Sequence, residues 1–247
     1  MESIDTTLWQ QLVAWLHGLG IHLGTGVVNE VGARVGEGVS QAASQLDMPS
    51  LLALAAALGW ASGFRLYAVV FLVGIAGVAD WIALPPGLTV LQHPALLVSS
   101  GSMLFIEFFA DKIPGIDSLW DLLNSVIRIP AGAALAAGAL GADGATMALV
   151  GALLGGGLAA TSQAAKTTTR AAINTSPEPF SNLGMSLVED GLVVGAVWLA
   201  TQHPLVFGVL LVIVVILMWI VTWALFKFLR AVIRRMSAFF SGGAQGA

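Results

Sequence analysis

Of 247 residues, 57% are hydrophobic and 10% charged, and the mean hydropathy is +0.88. A soluble domain has about 25% charged and about 45–50% apolar residues, so these proportions exclude a soluble globular enzyme, and they also exclude disorder, which needs a polar, charged chain. Ten Lys and Arg and a net charge of -4 leave no basic footprint for nucleic acid. With no cysteine there are no disulfides, thiolate zinc sites or thiol catalysis. What remains is an all-α, polytopic helical membrane protein whose first partner is the lipid bilayer.

Residues 1–49 differ from the rest. Leu8, Leu12, Leu16, Leu19 and Leu23 form one stripe; Val28, Val31, Val35, Val39, Ala42 and Leu46 form a second, with Glu30, Arg34, Glu37 and Gln41 off it. This is an amphipathic N-terminal segment lying on the membrane or on the bundle. The alternative is that residues 8–28 span, against which Gln10, Gln11, His17 and His22 argue. The start, MESIDTTLWQQ, lacks the basic region of a secretory signal.

Six apolar segments follow and define a transmembrane domain over 50–236. Segment 51–79 has Arg65 at its midpoint, and 94–111 carries Glu107. Segment 119–141 holds Arg128 and Pro130, and 145–166 is glycine-rich at Gly155, Gly156 and Gly157. Segment 180–201 has Glu189 and Asp190 near its middle. Segment 204–226 has no charge and ends at Lys227, Arg230, Arg234 and Arg235, with Trp219 and Trp223 near the interface. Residues 237–247 read as a flexible tail. The basic C-terminal cluster predicts a cytoplasmic C-terminus, and six spans then put the N-terminus inside too. The outer loops this implies, 80–93, 142–144 and 202–203, contain no Lys or Arg.

The two halves, 50–141 and 142–236, share an order: a Ser-plus-base segment, an acidic segment, a Pro-containing segment. Ser62 and Arg65 answer to Ser162 and Lys166, Glu107 to Glu189, and Pro130 to Pro204. Three spans repeated in tandem must be inverted, an arrangement found in transporters with midplane sites.

The charges within these segments are the candidate chemistry. A centred Arg costs roughly 2.5–3.5 kcal/mol on insertion scales, so Arg65 needs a partner or water. The preceding Trp60-Ala61-Ser62-Gly63-Phe64 is suited to a helix break, which membranes tolerate only around a cavity or inside protein. The competing reading is a structural ion pair in an unbroken helix. Glu107, Glu189 and Asp190 are acids at depth, the residue type that carries proton coupling in membranes, and they equally suit neutralising Arg65, Arg128 and Lys166. Glu107 and Asp111 share a face, a weaker cation site. Lys166 and Arg170 also share a face, with Thr167, Thr168 and Thr169 between, and suit a phosphate or carboxylate. The plainer reading, a basic helix end at the lipid surface, is preferred for them. Asp117 or Ser118 caps the helix starting near Leu119, with Asp121 in its first turn as a structural signal. HExxH, GxSxG and Walker A motifs are absent, and His17, His22, His93 and His203 are scattered. The expectation is therefore no enzyme, no cofactor and no metal.

Several runs carry a resemblance. They are Ala61-Ser62-Gly63-Phe64-Arg65-Leu66-Tyr67, the run from Glu107 through Pro114-Gly115 to Asp117-Ser118-Leu119-Trp120-Asp121, and Ile127-Arg128-Ile129-Pro130-Ala131-Gly132. Lys166, Arg170, Asn174-Thr175-Ser176-Pro177-Glu178-Pro179-Phe180-Ser181-Asn182 and Glu189-Asp190 complete them. Over about 50–202 the chain resembles the bacterial integral membrane family catalogued as domain of unknown function 4126. The resemblance implies a bacterial inner-membrane protein and implies no activity.

The expected function is a small transporter or channel for an anionic or proton-coupled substrate. Its pathway residues are Ser62, Arg65, Glu107, Ser162, Lys166, Arg170, Glu189 and Asp190. The second class is a non-transporting scaffold or assembly factor with structural charges. Homo-oligomerisation fits either.

Overall fold

The computed structural model describes residues 47–110, 113, 116–141, 144–175 and 179–242. The amphipathic stripes, Asp111, the Pro114-Gly115 turn, the stop at 176–178 and residues 243–247 lie outside them. Among the described residues all regular structure is helical: α1 (Met48–Val78), a short 3-10 helix (Pro86–Gln92), α2 (Pro94–Ala110), α3 (Ile116–Leu140), α4 (Ala145–Ile173), α5 (Pro179–Gln202) and α6 (Pro204–Gly242). Every apolar segment expected from sequence is a helix, and the protein is an all-α polytopic membrane protein. By length and hydropathy α1, α3, α4, α5 and α6 each suffice to cross a membrane. α2 qualifies only together with the 3-10 helix, from which it is bent by 69°.

Local chemistry explains the boundaries. Asp47 caps α1, its carboxylate accepting the Ser50 N–H at 3.2 Å, with proline in the first turn. His93 Nδ1 accepts the Ala95 N–H at 3.2 Å where Pro94 opens α2. His203 sits between α5 and α6 with its ring edge-on to Trp198. Both histidines are structural punctuation. Asp80, at φ 56, supplies the left-handed turn after α1.

The structure corrects one expectation. Segment 51–79 reads as a single span, but α1 is a hairpin. Arg65 has φ -146 and ψ 81, non-helical values in the middle of the helix. The arm before it packs on α4 and α3: Gly59 abuts Gly155, Gly63 abuts Ala159 and Ser162, and Gly132 lies against the Gly59 carbonyl. At the turn, Tyr67 donates to Asn124 Oδ1 at 2.8 Å, further toward the start of α3. A straight helix would carry residue 74 about 22 Å beyond residue 59 in that same direction. Instead Gly74 meets the Leu91 carbonyl, and Gly87, four residues earlier, meets Gly138 near the end of α3. Gly77 meets Leu84. Ser50 and Leu54 line one small cavity with Trp81, Ile82, Ala83 and α5 residues Ala200, Thr201 and Gln202. Both ends of α1 therefore lie where α3 and α5 finish and where α4 and α6 begin, and Arg65 is the inner tip. Hydropathy sums along the chain and carries no direction, so one 31-residue run and two shorter antiparallel arms look alike in it.

The close α1–α4 approach depends on missing side chains. A Cβ on Gly63 would collide with Ser162 Oγ and the Ala159 carbonyl, and one on Gly59 with the backbone of Gly155. Small residues let helix backbones approach in membranes, where apolar burial alone gives little drive. The hairpin supplies most of the core, including Leu54, Leu58, Trp60, Phe64, Val69 and Val73. Beside it α3 buries 33% of its apolar length, whereas α6 buries only 6% of its own.

Candidate functional site: a buried network of ion pairs

The tip of the hairpin ends in charges. Arg65 is fully buried. Its Nε lies 2.7 Å from Asp190 Oδ1 and 3.9 Å from Glu189 Oε2, and its Nη2 donates to Ser186 Oγ at 2.5 Å. These three partners come from α5 at i, i+3 and i+4, so one helical face presents them together. The expected juxtaposition of Arg65 with an acid at depth is present.

The break at Arg65 leaves the last carbonyls of the first arm without helical partners. Lys166 Nζ donates to one of them, the Phe64 carbonyl, at 3.0 Å. The same ammonium lies 3.1 Å from Glu189 Oε2 and 3.1 Å from Asp121 Oδ1. Arg170, one turn on, holds Glu189 through Nε at 3.3 Å and Nη2 at 3.1 Å. Glu189 thus joins three bases on two helices. Lys166 and Arg170 are each about 1% exposed, which overturns their preferred assignment to the lipid surface. They share a face as expected, and that face points inward because Glu189 and Asp121 are there to neutralise it.

Asp121 links this group to a second one. Arg128 Nη1 lies 2.9 Å from Asp121 Oδ1 and donates to Gln163 Oε1 at 3.0 Å, and Arg128 Nη2 pairs with Glu107. Gln163 Nε2 returns a bond to the Asp121 carbonyl at 3.3 Å. Among the described residues the result is one connected network of four bases (Arg65, Arg128, Lys166, Arg170) and four acids (Glu107, Asp121, Glu189, Asp190). The formal charges of these eight cancel. That balance makes it tolerable at depth, because each buried ion has an opposite charge and hydrogen bonds.

Six of the eight expected pathway residues fall in this network. Ser62 and Ser162 do not. Their hydroxyls bond back to their own helices, Ser62 to the Leu58 carbonyl at 2.5 Å and Ser162 to those of Leu158 and Ala159. They are small fillers of the α1–α4 seam. Sequence reasoning underweighted Asp121 and Arg128 and missed Gln163 and Ser186. Spacing held the signal: Asp121 and Arg128 are seven apart on α3, Gln163, Lys166 and Arg170 follow i, i+3, i+7 on α4, and Ser186 and Glu189 share a face of α5. Asp111, expected to share a face with Glu107, lies outside the described residues. No group of three or more His, Cys, Asp or Glu placed to hold a metal occurs among the described residues.

Asp190 differs from the other acids. Its side chain is 34% exposed, whereas Glu107 and Glu189 are fully buried. It borders a cleft between α1, α2 and α5 whose other lining residues are Ala68, Leu72, Gly101, Leu104, Phe105, Phe108, Val193 and Val194.

A helical bundle that clasps a folded-back helix through buried, balanced charges is an integral membrane protein built around its polar centre. The chain belongs to the family described as "Domain of unknown function (DUF4126)", whose model matches residues 52–224. That stretch holds every residue of the network. No curated protein and no solved structure matches the chain.

Proposed function

We propose that the protein is a small transporter or channel of the bacterial inner membrane, with the Arg65-centred network as its gate and its substrate an anion or a proton-coupled solute. One observation carries this reading: the backbone of α1 breaks at Arg65 deep in the bundle and reverses there. Broken helices at membrane depth are tolerated where they are buried in protein or line a pathway, and transporters place such breaks at their sites. Arg65 has two carboxylates within 4.0 Å, Asp190 and Glu189, so protonating one leaves the guanidinium a second partner. Such bistable pairing is what a gate needs.

The orientation belongs to the same proposal. The basic end of α6, with Lys227, Arg230, Arg234 and Arg235, faces the cytoplasm by the positive-inside rule. The hairpin then enters from the outer face, and Met48 is outside. This replaces the expected placement of both ends of the 50–236 domain inside, because α1 makes no net crossing. An inverted relation between 50–141 and 142–236 is supported only by the opposed directions of α2 and α5 and of α3 and α6. α1 folds back at Arg65 whereas no such break is found in α4, and α3 is 33% buried where α6 is 6% buried. The bilayer is the surrounding partner, and self-association remains part of the proposal without a defined surface.

A second reading, a non-transporting scaffold, is favoured by the balance of four acids against four bases among the described residues, which needs no substrate to complete it. Reconstitution separates the two. Purified protein in proteoliposomes should pass protons, chloride, phosphate or a small carboxylate, and Arg65→Lys should fold with most of its thermal stability yet lose flux. Wild-type vesicles that leak none of these above empty controls support the scaffold.

A further inference from the structure

The chain has ten Lys and Arg. Arg65, Arg128, Lys166 and Arg170 are buried in the network, and Arg34 and Lys112 lie outside the described residues. The others, Lys227, Arg230, Arg234 and Arg235, lie together over 227–235 of α6 and are exposed. α6 contains no Asp or Glu, and no carboxylate among the described residues pairs with Lys227, Arg230 or Arg235. Arg234 already has a contact of its own, which leaves these three cations without their complement. Two of them are held in place. Each leans one turn back along the helix, as helical side chains do: the Lys227 ammonium lies 3.7 Å from the centre of the Trp223 ring, and the Arg230 guanidinium carbon 5.0 Å from that of Phe226. Such contacts orient a cation without neutralising it.

The basic patch continues an apolar one. Ile216, Ile220, Trp223, Lys227 and Arg230 follow at three- and four-residue steps, so they form one stripe of α6, and all five are exposed. Leu225, Leu229 and Val232, roughly 140–160° round the helix from Lys227, are half-buried instead. Along the exposed stripe apolar side chains come first and cations after them, which matches an amphiphile with a hydrocarbon chain and a negative head. A free phosphate would meet only the basic half, and a zwitterionic lipid brings it no net charge.

We infer that this stripe is a docking face for anionic phospholipid. The headgroup phosphate sits on Lys227 and Arg230 with Arg235 beside them, and an acyl chain lies along Ile216, Ile220 and Trp223. Attraction of this kind is short-ranged and screened by salt. The docking face is the same on whichever side of the membrane the end of α6 lies, and it needs no flux.

The test reconstitutes the full-length protein in phosphatidylcholine vesicles with a trace of spin-labelled phosphatidylglycerol, or of spin-labelled phosphatidylcholine with the same chains. Electron spin resonance measures how much of each is held against the protein. Phosphatidylglycerol should be held about fivefold more strongly, the size of one basic residue's attraction to an anionic surface. Inorganic phosphate should displace no more of it than sodium chloride does at equal ionic strength. The triple variant Lys227→Gln, Arg230→Gln, Arg235→Gln should bring the two lipids to parity. Thermal unfolding reports folding; should the triple variant fail to fold, Lys227→Gln alone must lower the preference about twofold. Equal holding of the two lipids by the wild type, displacement by phosphate beyond the chloride control, or a preference kept by a folded variant overturns the inference. No transport is measured, so its failure and the failure of the transport reading are seen separately.

Discussion

Lys166 Nζ donates to the Phe64 carbonyl at 3.0 Å, joining α4 to the point where α1 stops being a helix. A carbonyl left over by a helix end is costly when buried and unpaired. Here one ammonium satisfies that oxygen and two carboxylates together, so the backbone break and the charge network are a single construction. Lys166→Met keeps much of the side-chain volume and removes all three contacts. It should destabilise the protein by about 3–5 kcal/mol, because Asp121 and Glu189 stay buried with less charge to meet them. Denaturant unfolding in mild detergent, followed by tryptophan fluorescence, reads this; a loss under about 1 kcal/mol, the usual size for an exposed pair, contradicts the network's cohesion.

Arg65 itself separates charge from geometry. Arg65→Ala should cost about 3–5 kcal/mol by taking the buried base away from Asp190, while Glu189 keeps Lys166 and Arg170. Arg65→Lys retains the charge and loses the fork that reaches Ser186 and Asp190 together, so most of the stability should survive. Thermal unfolding of both variants side by side checks the order; equal losses would mean the planar fork, and not the charge, holds the tip.

The hairpin makes a topological prediction, and the chain has no cysteine to interfere with the test. Single cysteines at Asp47, Asp80 and Arg235 in intact cells should react with an impermeant maleimide in two groups. Asp47→Cys and Asp80→Cys should label from one side, and Arg235→Cys from the other. Labelling of Asp47 and Asp80 from opposite sides would restore α1 as a crossing helix.

Two glycines offer a contrast in packing. Gly63→Ala should destabilise by about 1–3 kcal/mol, the usual cost of overpacking, since the new methyl meets the Ala159 carbonyl and Ser162. Gly157 has open space over it, and Gly157→Ala should be neutral or stabilising by up to about 1 kcal/mol. Thermal shifts of opposite sign, or a shift for Gly63→Ala alone, match the α1–α4 contact; a harmless Gly63→Ala does not.

Arg128 and Glu107 test coupling. Arg128→Gln takes from Glu107 its paired guanidinium, and Glu107→Gln takes one of the two carboxylates from Arg128, whereas the double variant removes both charges. The double should therefore be more stable than the sum of the singles implies, with an interaction of about 0.5–3 kcal/mol. Strict additivity in denaturant unfolding would mean the pair acts separately.

Much of this was legible in the residues. Helix positions follow from apolar runs bounded by Pro94, Pro179 and Pro204, and Arg65 announces itself because a centred guanidinium demands a partner. Glu107, Glu189 and Asp190 are legible as its candidate partners for the same reason, and the structure pairs it with the last two and Glu107 with Arg128. The reversal of α1 is not, since a run of Ala, Leu and Gly has the same hydropathy whether it continues or turns back. The inward face of Lys166 and Arg170 is also hidden: a basic residue near a helix end looks identical whether it meets lipid phosphate or a buried carboxylate on another helix. Asp121 escaped notice because a first-turn acid is already explained by capping, and local sufficiency conceals a long-range partner.

Arg65 and Phe64 find their partners far along the chain, at Ser186 and Lys166, 121 and 102 residues later. During synthesis the tip of the hairpin is therefore made well before Lys166 and Ser186, which bond to it. A chain released after Leu140 has the hairpin, α2 and α3, and Arg128 has Glu107 and Asp121, yet the Phe64 carbonyl and Arg65 have neither Lys166 nor α5. The first described helix to emerge is in this sense the last to be seated, and its docking is the step at which the bundle commits to its finished form.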